Sequence, residues 1–232
     1  MTTHSQASEP IDSVSSDQIS QRVWRDCLQR HRLIAVIRAS TVEVGVSMAK
    51  AAAEGGVHLI EVTWNSPQPV QLLQQIQRAL PDCRVGVGTL LSVEALSAAI
   101  AAGAQFAFSP HTSLAMLNLA ATEGIPLMPG AMTPTEVVTA WQAGAAAVKV
   151  FPISSLGGAA YIRSLQGPLG RIPLIPTGGV NPTTAPDLLR AGAIAVGLSS
   201  ALFPKADIEA QNWSVICQRA QNLVRVCQID RG

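Results

Sequence analysis

Eight short apolar segments recur along this chain of 232 residues. Each is rich in branched residues and too short for a typical helix, and successive segments begin roughly 20 to 26 residues apart. They occupy residues 33–38, 59–63, 85–89, 106–110, 126–130, 147–152, 174–179 and 194–199. A pattern this regular restricts the chain to folds that contain eight buried strands.

Helical segments separate the predicted strands. Stretches rich in Ala and Leu with helical periodicity lie at residues 42–53, 69–80, 93–101 and 135–143. Capping residues such as Ser92 and Thr133 precede them, and Gly103 and Gly144 follow them. Strand followed by helix, eight times, implies parallel strands with crossover helices. The sequence therefore predicts an α/β fold, a single (β/α)8 TIM barrel.

The alternative fold is a doubly wound open sheet. That fold usually has fewer strands, and it requires a glycine-rich turn directly after its first strand. Arg38-Ala39-Ser40 occupies this position and is no such turn. The barrel is therefore favoured.

Two further segments flank the repeat. Residues 18–31 have the pattern of an extra N-terminal amphipathic helix before the first strand, and residues 212–227 that of a closing helix. The first residues are rich in Ser, Gln and Thr and lack the basic and apolar regions of a signal peptide. We expect a disordered leader at 1–17 and one barrel domain at 18–232.

Charge and composition exclude several classes of partner. The formal net charge is +1 with 13% charged residues, so neither a nucleic acid nor a membrane surface is an expected partner. The four cysteines and four histidines are dispersed without the spacing of metal ligands. Unpaired, reduced cysteines are typical of a cytoplasmic protein. Small-molecule chemistry is the expected function.

Lys149 is the one cation in an apolar run, Ala147-Val148-Lys149-Val150-Phe151-Pro152. A lysine in a buried strand must reach water at the strand end or give up its charge, because desolvation disfavours the ammonium form. Enzymes use such lysines as amine nucleophiles that form Schiff bases with carbonyl substrates. The segment alone leaves both interpretations open.

Glu61 is the second candidate catalytic residue. By the two-residue period of a strand it shares a face with Thr63, and Lys149 shares one with Phe151, so both side chains can point into the barrel mouth. A carboxyl group near a Schiff-base lysine could move the protons that carbonyl chemistry requires. The alternative is a structural ion pair of Glu61 with Arg38 or Lys149.

The last two strands end in loops suited to an anion. Thr177-Gly178-Gly179 follows the seventh strand, and Gly197-Leu198-Ser199-Ser200 follows the eighth. The corresponding loops of many barrels bind a phosphate, since glycine lets backbone N–H groups approach it and serine adds hydroxyl donors. A Gly-Gly pair can also be a simple turn.

In order along the chain, these segments resemble the 2-keto-3-deoxy-6-phosphogluconate and 4-hydroxy-2-oxoglutarate aldolases, which are class I, pyruvate-forming, trimeric barrels. The resemblance covers about residues 22–205. The matching motifs are Ala35-Val36-Ile37-Arg38, Ile60-Glu61-Val62-Thr63, Gly86-Val87-Gly88-Thr89, Phe108-Ser109-Pro110, the run from Pro129 to Glu136, Lys149-Val150-Phe151-Pro152 and Pro176-Thr177-Gly178-Gly179.

The resemblance implies a role for each matching residue. Lys149 would form the Schiff base, with Glu61 as the general acid and base acting through a water. No metal or cofactor is implied, and the expected partners are a 2-keto acid phosphosugar substrate and two further copies in a homotrimer. The substrate-binding residues would be Arg38, Asn65, Thr89, Pro110, Phe151 and Thr177, and the phosphate-binding residues Gly178, Gly179, Ser199 and Ser200.

One motif departs from the gluconate pattern. Gluconate-type enzymes usually have an arginine two residues after the threonine of the Glu-Val-Thr motif, where this chain has Asn65 within Trp64-Asn65-Ser66-Pro67. That loop is similar to the 2-keto-3-deoxy-6-phosphogalactonate branch, whereas Thr177 is similar to the gluconate branch. The preferred C4 epimer is therefore open. His111, beside Pro110, is interpreted as a surface residue.

The resulting hypothesis is a metal-independent lyase that cleaves 2-keto-3-deoxy-6-phosphogluconate, and 4-hydroxy-2-oxoglutarate, to pyruvate and an aldehyde. A phosphogalactonate aldolase and an oxaloacetate decarboxylase on the same site are the alternatives within this chemistry. A non-catalytic phosphosugar-binding barrel is the alternative from a different class, because fold alone does not fix function.

Overall fold

The structure is a computed structural model that describes residues 16–228, with side chains described from residue 22 onward. Most of the expected leader, residues 1–15, lies outside the described residues. The helices and one 3₁₀ turn are α1 Ser16–His31, α2 Val42–Glu54, α3 Pro69–Ala79, α4 Val93–Ala101, α5 Leu114–Thr122, α6 Pro134–Gln142, the turn Ile153–Leu156, α7 Ala159–Leu169, α8 Thr184–Arg190, α9 Lys205–Glu209 and α10 Trp213–Gln228.

Strands form at all eight predicted positions. They are β1 Leu33–Ile37, β2 Leu59–Thr63, β3 Arg84–Gly88, β4 Ala107–Phe108, β5 Leu127–Met128, β6 Gly130–Ala131, β7 Val148–Val150, β8 Leu174–Pro176 and β9 Val196–Leu198. The fifth predicted strand is divided into β5 and β6 at Pro129, which has no N–H to donate to a ladder.

The strands close into a ring. One sheet has the order β5-β4-β3-β2-β1-β9, and a second has the order β6-β7-β8, with parallel pairing throughout. The two sheets share the divided fifth strand at one junction. At the other, a parallel bridge joins Thr177, just after β8, to Gly197 of β9. The predicted (β/α)8 barrel is confirmed.

Alternate residues of the strands divide between two apolar cores. Ile34 and Val36 of β1 belong to the inner core of the barrel, whereas Leu33, Ala35 and Ile37 pack in the outer core beneath the helices. Both cores exclude water, as expected for parallel strands covered on both faces. Because the side chains alternate, Leu59 of the inner core places Glu61 on the inward face of β2, and Ala147 does the same for Lys149.

Helix α1 closes the amino-terminal end of the barrel. Its Trp24 and Leu28 join the inner core, and the Trp24 ring lies 4.8 Å from the ring of Phe106. The indole Nε1 of Trp24 donates to the sulfur of Met128 at 3.2 Å. The carboxyl-terminal ends of the strands form the other end of the barrel, which we call the mouth.

The helix caps follow the sequence. The Ser92 side chain accepts from Ala95 N, and Thr133 forms a capping box with Glu136. The longest described helices, α1 and α10, have 16 residues each. Within residues 16–228, no helix has the length and apolar character needed to cross a membrane.

Candidate active site

Lys149 lies inside the mouth on β7 and is 5% exposed. Its Nζ is 5.6 Å from the ring centroid of Phe108 and 5.1 Å from that of Phe151. Parallel pairing with Gly130 on one side and Ile175 on the other fixes the backbone. The amine is therefore held in a largely dry pocket with two aromatic walls.

Glu61 lies inside the mouth on β2 and is 1% exposed. Burial raises the pKa of its carboxyl group, and the nearby positive charges of Lys149 and Arg38 oppose that effect. Its Oε1 is buried and has no hydrogen-bond partner. Neither of the ion pairs considered from the sequence, with Lys149 or with Arg38, forms among the described residues.

A buried carboxyl oxygen without a partner is unfavourable for the fold, since the desolvated group is not compensated. Such groups concentrate at functional sites, where a shifted pKa suits proton transfer. Both groups lie on inward faces of the barrel, and the positive charge of Lys149 opposes the rise in the Glu61 pKa. This arrangement of an amine and a raised-pKa carboxyl group can perform general acid and base chemistry on a carbonyl substrate.

Two glycines allow close packing inside the mouth. A Cβ added to Gly88 of β3 would overlap the Glu61 carboxyl group, and one added to Gly130 of β6 would overlap the backbone of Pro110. Both glycines belong to motifs that were identified in the sequence, but the sequence assigned neither of them a role. No pattern in a single sequence indicates which side chain a glycine accommodates.

Thr89 follows β3 at the mouth and has a backbone φ of 61°. This left-handed conformation is unusual for a β-branched residue and is strained by about 1–3 kcal/mol. Thr89 is half-buried, and it directly follows Gly88, beside Glu61. Strained residues of this kind cluster at ligand sites.

Arg38 and Asn65 are exposed at the mouth, in the loops after β1 and β2. Ser66, which is buried, connects the two loops. Its Oγ lies 3.0 Å from Oγ1 of Thr63 and accepts a hydrogen bond from the backbone N–H of Ala39 at 3.3 Å. Ser66 was not singled out from the sequence, although the Asn-Ser-Pro motif contains it.

Pro110 and Phe151 are half-buried, in the loops after β4 and β7, which flank the divided fifth strand. The side chain of Ser109 donates to the carbonyl of His111 at 2.6 Å, and Thr112 donates to the carbonyl of Gly130 at 3.1 Å. These bonds fix the loop after β4. The side chain of His111 is exposed, as interpreted from the sequence.

The predicted phosphate loops lie side by side, because β8 and β9 are neighbours through the Thr177–Gly197 bridge. Gly178 and Gly179 have φ values of 88° and 80°, which a non-glycine residue adopts only with strain. Ser199 and Ser200 are exposed at the same end.

One further hydroxyl belongs to this region. Ser154, in the 3₁₀ turn after β7, donates its backbone N–H to the carbonyl of Gly178 at 3.2 Å. A Cβ on Gly179 would lie 2.6 Å from the Ser154 Oγ, so this hydroxyl sits directly against the glycine loop. Ser154 was not predicted from the sequence, where its only signal was its position three residues after Phe151.

No group of three or more His, Cys, Asp or Glu residues is arranged to hold a metal ion in the portion of the chain from residue 16 to residue 228.

Comparison with known proteins identifies the family. A model of the KDPG and KHG aldolases matches residues 25–219. The KHG/KDPG aldolase of Escherichia coli K12 is 35% identical over 193 residues, covering 83% of this chain and 90% of that protein. The chain belongs to this aldolase family. It is accordingly an aldolase, a lyase, rather than a non-catalytic barrel.

Other members extend the comparison to both sugar epimers. A protein of Rhizobium meliloti named probable 2-dehydro-3-deoxy-6-phosphogalactonate aldolase is 34% identical over 174 residues, which is 74% of this chain and 81% of that protein. The crystal structure of the KDPG aldolase of Legionella pneumophila, with pyruvate captured as a covalent carbinolamine, has a TM-score of 0.80 at 28% identity. That match covers 86% of this chain and 97% of the Legionella chain.

Proposed function

We propose that this aldolase cleaves 2-keto-3-deoxy-6-phosphogluconate to pyruvate and glyceraldehyde 3-phosphate through a Schiff base on Lys149, and 4-hydroxy-2-oxoglutarate to pyruvate and glyoxylate. The observation that carries the proposal is the pairing of buried Lys149 with buried Glu61, whose Oε1 has no partner, inside one barrel mouth. The covalent carbinolamine of the Legionella relative supports the same chemistry by likeness.

In the first half of the reaction, the free amine of Lys149 attacks the C2 ketone and forms a carbinolamine. Loss of water gives an iminium, which accepts electrons from the neighbouring carbon–carbon bond. The aromatic surroundings of Nζ limit the access of bulk water to this intermediate.

In the second half, Glu61 removes the proton of the C4 hydroxyl, directly or through a water bound at Oε1. The C3–C4 bond breaks, the aldehyde leaves, and the bonding electrons enter the iminium to form an enamine. The proton held by Glu61 then returns to C3, and water hydrolyses the resulting iminium to pyruvate and free Lys149. A raised pKa suits a group that both accepts and returns a proton.

The remaining residues of the mouth would bind the substrate. Thr89, Arg38 and Asn65 would hold the carboxylate end, and Pro110 and Phe151 would form the walls. The phosphate would lie on the loops after β8 and β9, where its contacts would come from Thr177, Gly178, Gly179, Ser154, Ser199 and Ser200.

A second candidate is the phosphogalactonate epimer. The Asn65–Ser66 loop replaces the arginine of gluconate-type enzymes, and a relative with 34% identity is named for the galactonate substrate. Comparing kcat/KM for the two epimers decides between them. Oxaloacetate decarboxylation would use the same iminium and can be measured in the same preparation.

We propose further that the protein is a cytoplasmic homotrimer. Three exposed apolar side chains follow neighbouring strands at the mouth: Leu91 in the loop after β3, Leu114 at the start of α5, and Met132 in the loop after β6. Such a cluster favours contact with another copy. Light scattering coupled to size-exclusion chromatography measures the number of copies, and a monomeric mass would contradict the trimer.

Borohydride trapping tests the Schiff base. The chain has three lysines, of which Lys50 and Lys205 are exposed. Incubation with pyruvate and borohydride should add one reduced pyruvyl group, located on Lys149 by peptide mapping. Lys149→Ala should give no adduct and no cleavage, while Lys205→Ala retains both. A folded wild-type protein without an adduct on Lys149 would contradict the proposal.

A further inference from the structure

A cleft of about 480 Å³ lies at the amino-terminal end of the barrel, opposite the mouth. It is lined by the second half of α1, by residues 170–173 before β8 and by residues 192–194 before β9. β8, β9 and β1 are consecutive in the barrel, so these segments adjoin one another. No residue of the mouth lines this cleft.

The charge of the cleft is strongly positive. Arg25, Arg32 and Arg171 line it together with the amide of Gln29, and no carboxylate is among its lining residues. Two of the guanidinium groups are positioned by other contacts. Arg32 donates to the carbonyl of Cys227 at 2.9 Å, and Arg25 lies 5.8 Å from the ring centroid of Trp141.

Arg171 differs from the other two. Its side chain is exposed and makes no hydrogen bond or ion pair with another described residue. A bound anion would reduce the mutual repulsion of cations that line one cleft.

We propose that this cleft binds a small compound with a condensed phosphate group, such as inorganic pyrophosphate or a nucleoside diphosphate. Guanidinium groups bind phosphate oxygens through paired, charge-assisted hydrogen bonds. Three cations match the several negative charges of a condensed phosphate better than the single charge of a carboxylate. The cleft volume is within the range of small-molecule sites. The site is independent of the proposed reaction in the mouth.

Isothermal titration of the full chain with inorganic pyrophosphate and with ADP tests the site. Both should bind, with an affinity that falls as salt is added. Arg171→Gln should weaken binding at least about tenfold, because a hydrogen bond to a charged group contributes on that order. Arg78→Gln is the matched control, since Arg78 is an exposed arginine of α3 outside the cleft.

A second variant separates this site from the mouth. Ser199→Ala combined with Ser200→Ala changes the proposed phosphate loop and should leave pyrophosphate binding at the cleft unchanged. Absence of binding by the wild-type protein would overturn the proposal. So would equal weakening by Arg171→Gln and Arg78→Gln, or loss of binding in the serine variant with full binding in Arg171→Gln.

Discussion

The mouth of the barrel has a floor and a rim that differ in exposure and in backbone support. We define the floor as Lys149, Glu61 and Gly88, and the rim as Arg38, Asn65, Ser199 and Ser200. Floor residues lie within strands whose ladders fix them, and both ionisable groups are at most 5% exposed. Rim residues lie in loops and are all exposed.

The difference indicates how chemistry and recognition are divided. In the floor, low solvent access strengthens electrostatic interactions and shifts the Glu61 pKa, so substitutions there should act on kcat. On the rim, water competes with each contact, so substitutions there should act mainly on KM. Changes to the floor and rim that had equal effects on kcat would contradict this division.

Glu61→Gln should have the largest effect among the following changes. Loss of the general base should lower kcat by roughly 10² to 10⁴, while pyruvate trapping on Lys149 continues at a reduced rate. Single-turnover kinetics with matched borohydride trapping measures both steps. If kcat were unchanged, another group would have to move the proton.

The Glu61→Gln variant also tests how the stability of the fold depends on pH. Burial raises the folded-state pKa of Glu61 above its usual value near 4.3. The group therefore stabilises the fold at low pH, and that contribution is lost as the pH rises through the folded-state pKa. Glu61→Gln, which stays neutral, should match the wild type at low pH and be the more stable protein above that pKa. Urea unfolding across this pH range measures the difference.

Gly88→Ala should reproduce much of the fall in kcat that is expected for Glu61→Gln, without altering a titratable group. The added methyl group would overlap the Glu61 carboxyl group, so the base must move or β3 must shift. We expect kcat to fall by about 10², within the range for a displaced base, and stability to fall by about 1–3 kcal/mol from overpacking. Gly167→Ala is the control, because a Cβ at Gly167 meets nothing within 4 Å.

The floor could be predicted from the sequence to a greater extent than the rim. Strand periodicity placed Glu61 and Lys149 on inward faces, since alternation is a local property of the backbone. The hydrogen bonds of Ser66 with Ala39 and of Ser154 with Gly178 join loops from different strands, and no local pattern encodes them. The division of the fifth strand into β5 and β6 has a local cause, because Pro129 has no N–H to donate. It could not be predicted, because a proline is equally compatible with the end of an undivided strand.

Ser66→Ala tests the connection between floor and rim. It would leave the Ala39 N–H and the Thr63 hydroxyl without their buried partner, which costs about 1–3 kcal/mol of stability. Because the loops that carry Arg38 and Asn65 lose their link, KM should rise several-fold while kcat changes little. Ser47→Ala, which removes an exposed bond to the Glu43 carbonyl, is the control. A fall in kcat with an unchanged KM would mean that Ser66 affects the chemical step, as the floor residues do, and not substrate binding.

Replacing Ser199 and Ser200 by alanine should have the smallest effect, because both side chains are exposed and water can replace either contact. We expect KM for 2-keto-3-deoxy-6-phosphogluconate to rise about two- to tenfold, in keeping with one or two modest hydrogen bonds. KM for 4-hydroxy-2-oxoglutarate, which carries no phosphate, should stay the same. This pair of substrates isolates phosphate recognition from every other property of the mouth. An equal rise for both substrates would mean that the loop after β9 shapes the mouth as a whole and that the phosphate binds elsewhere.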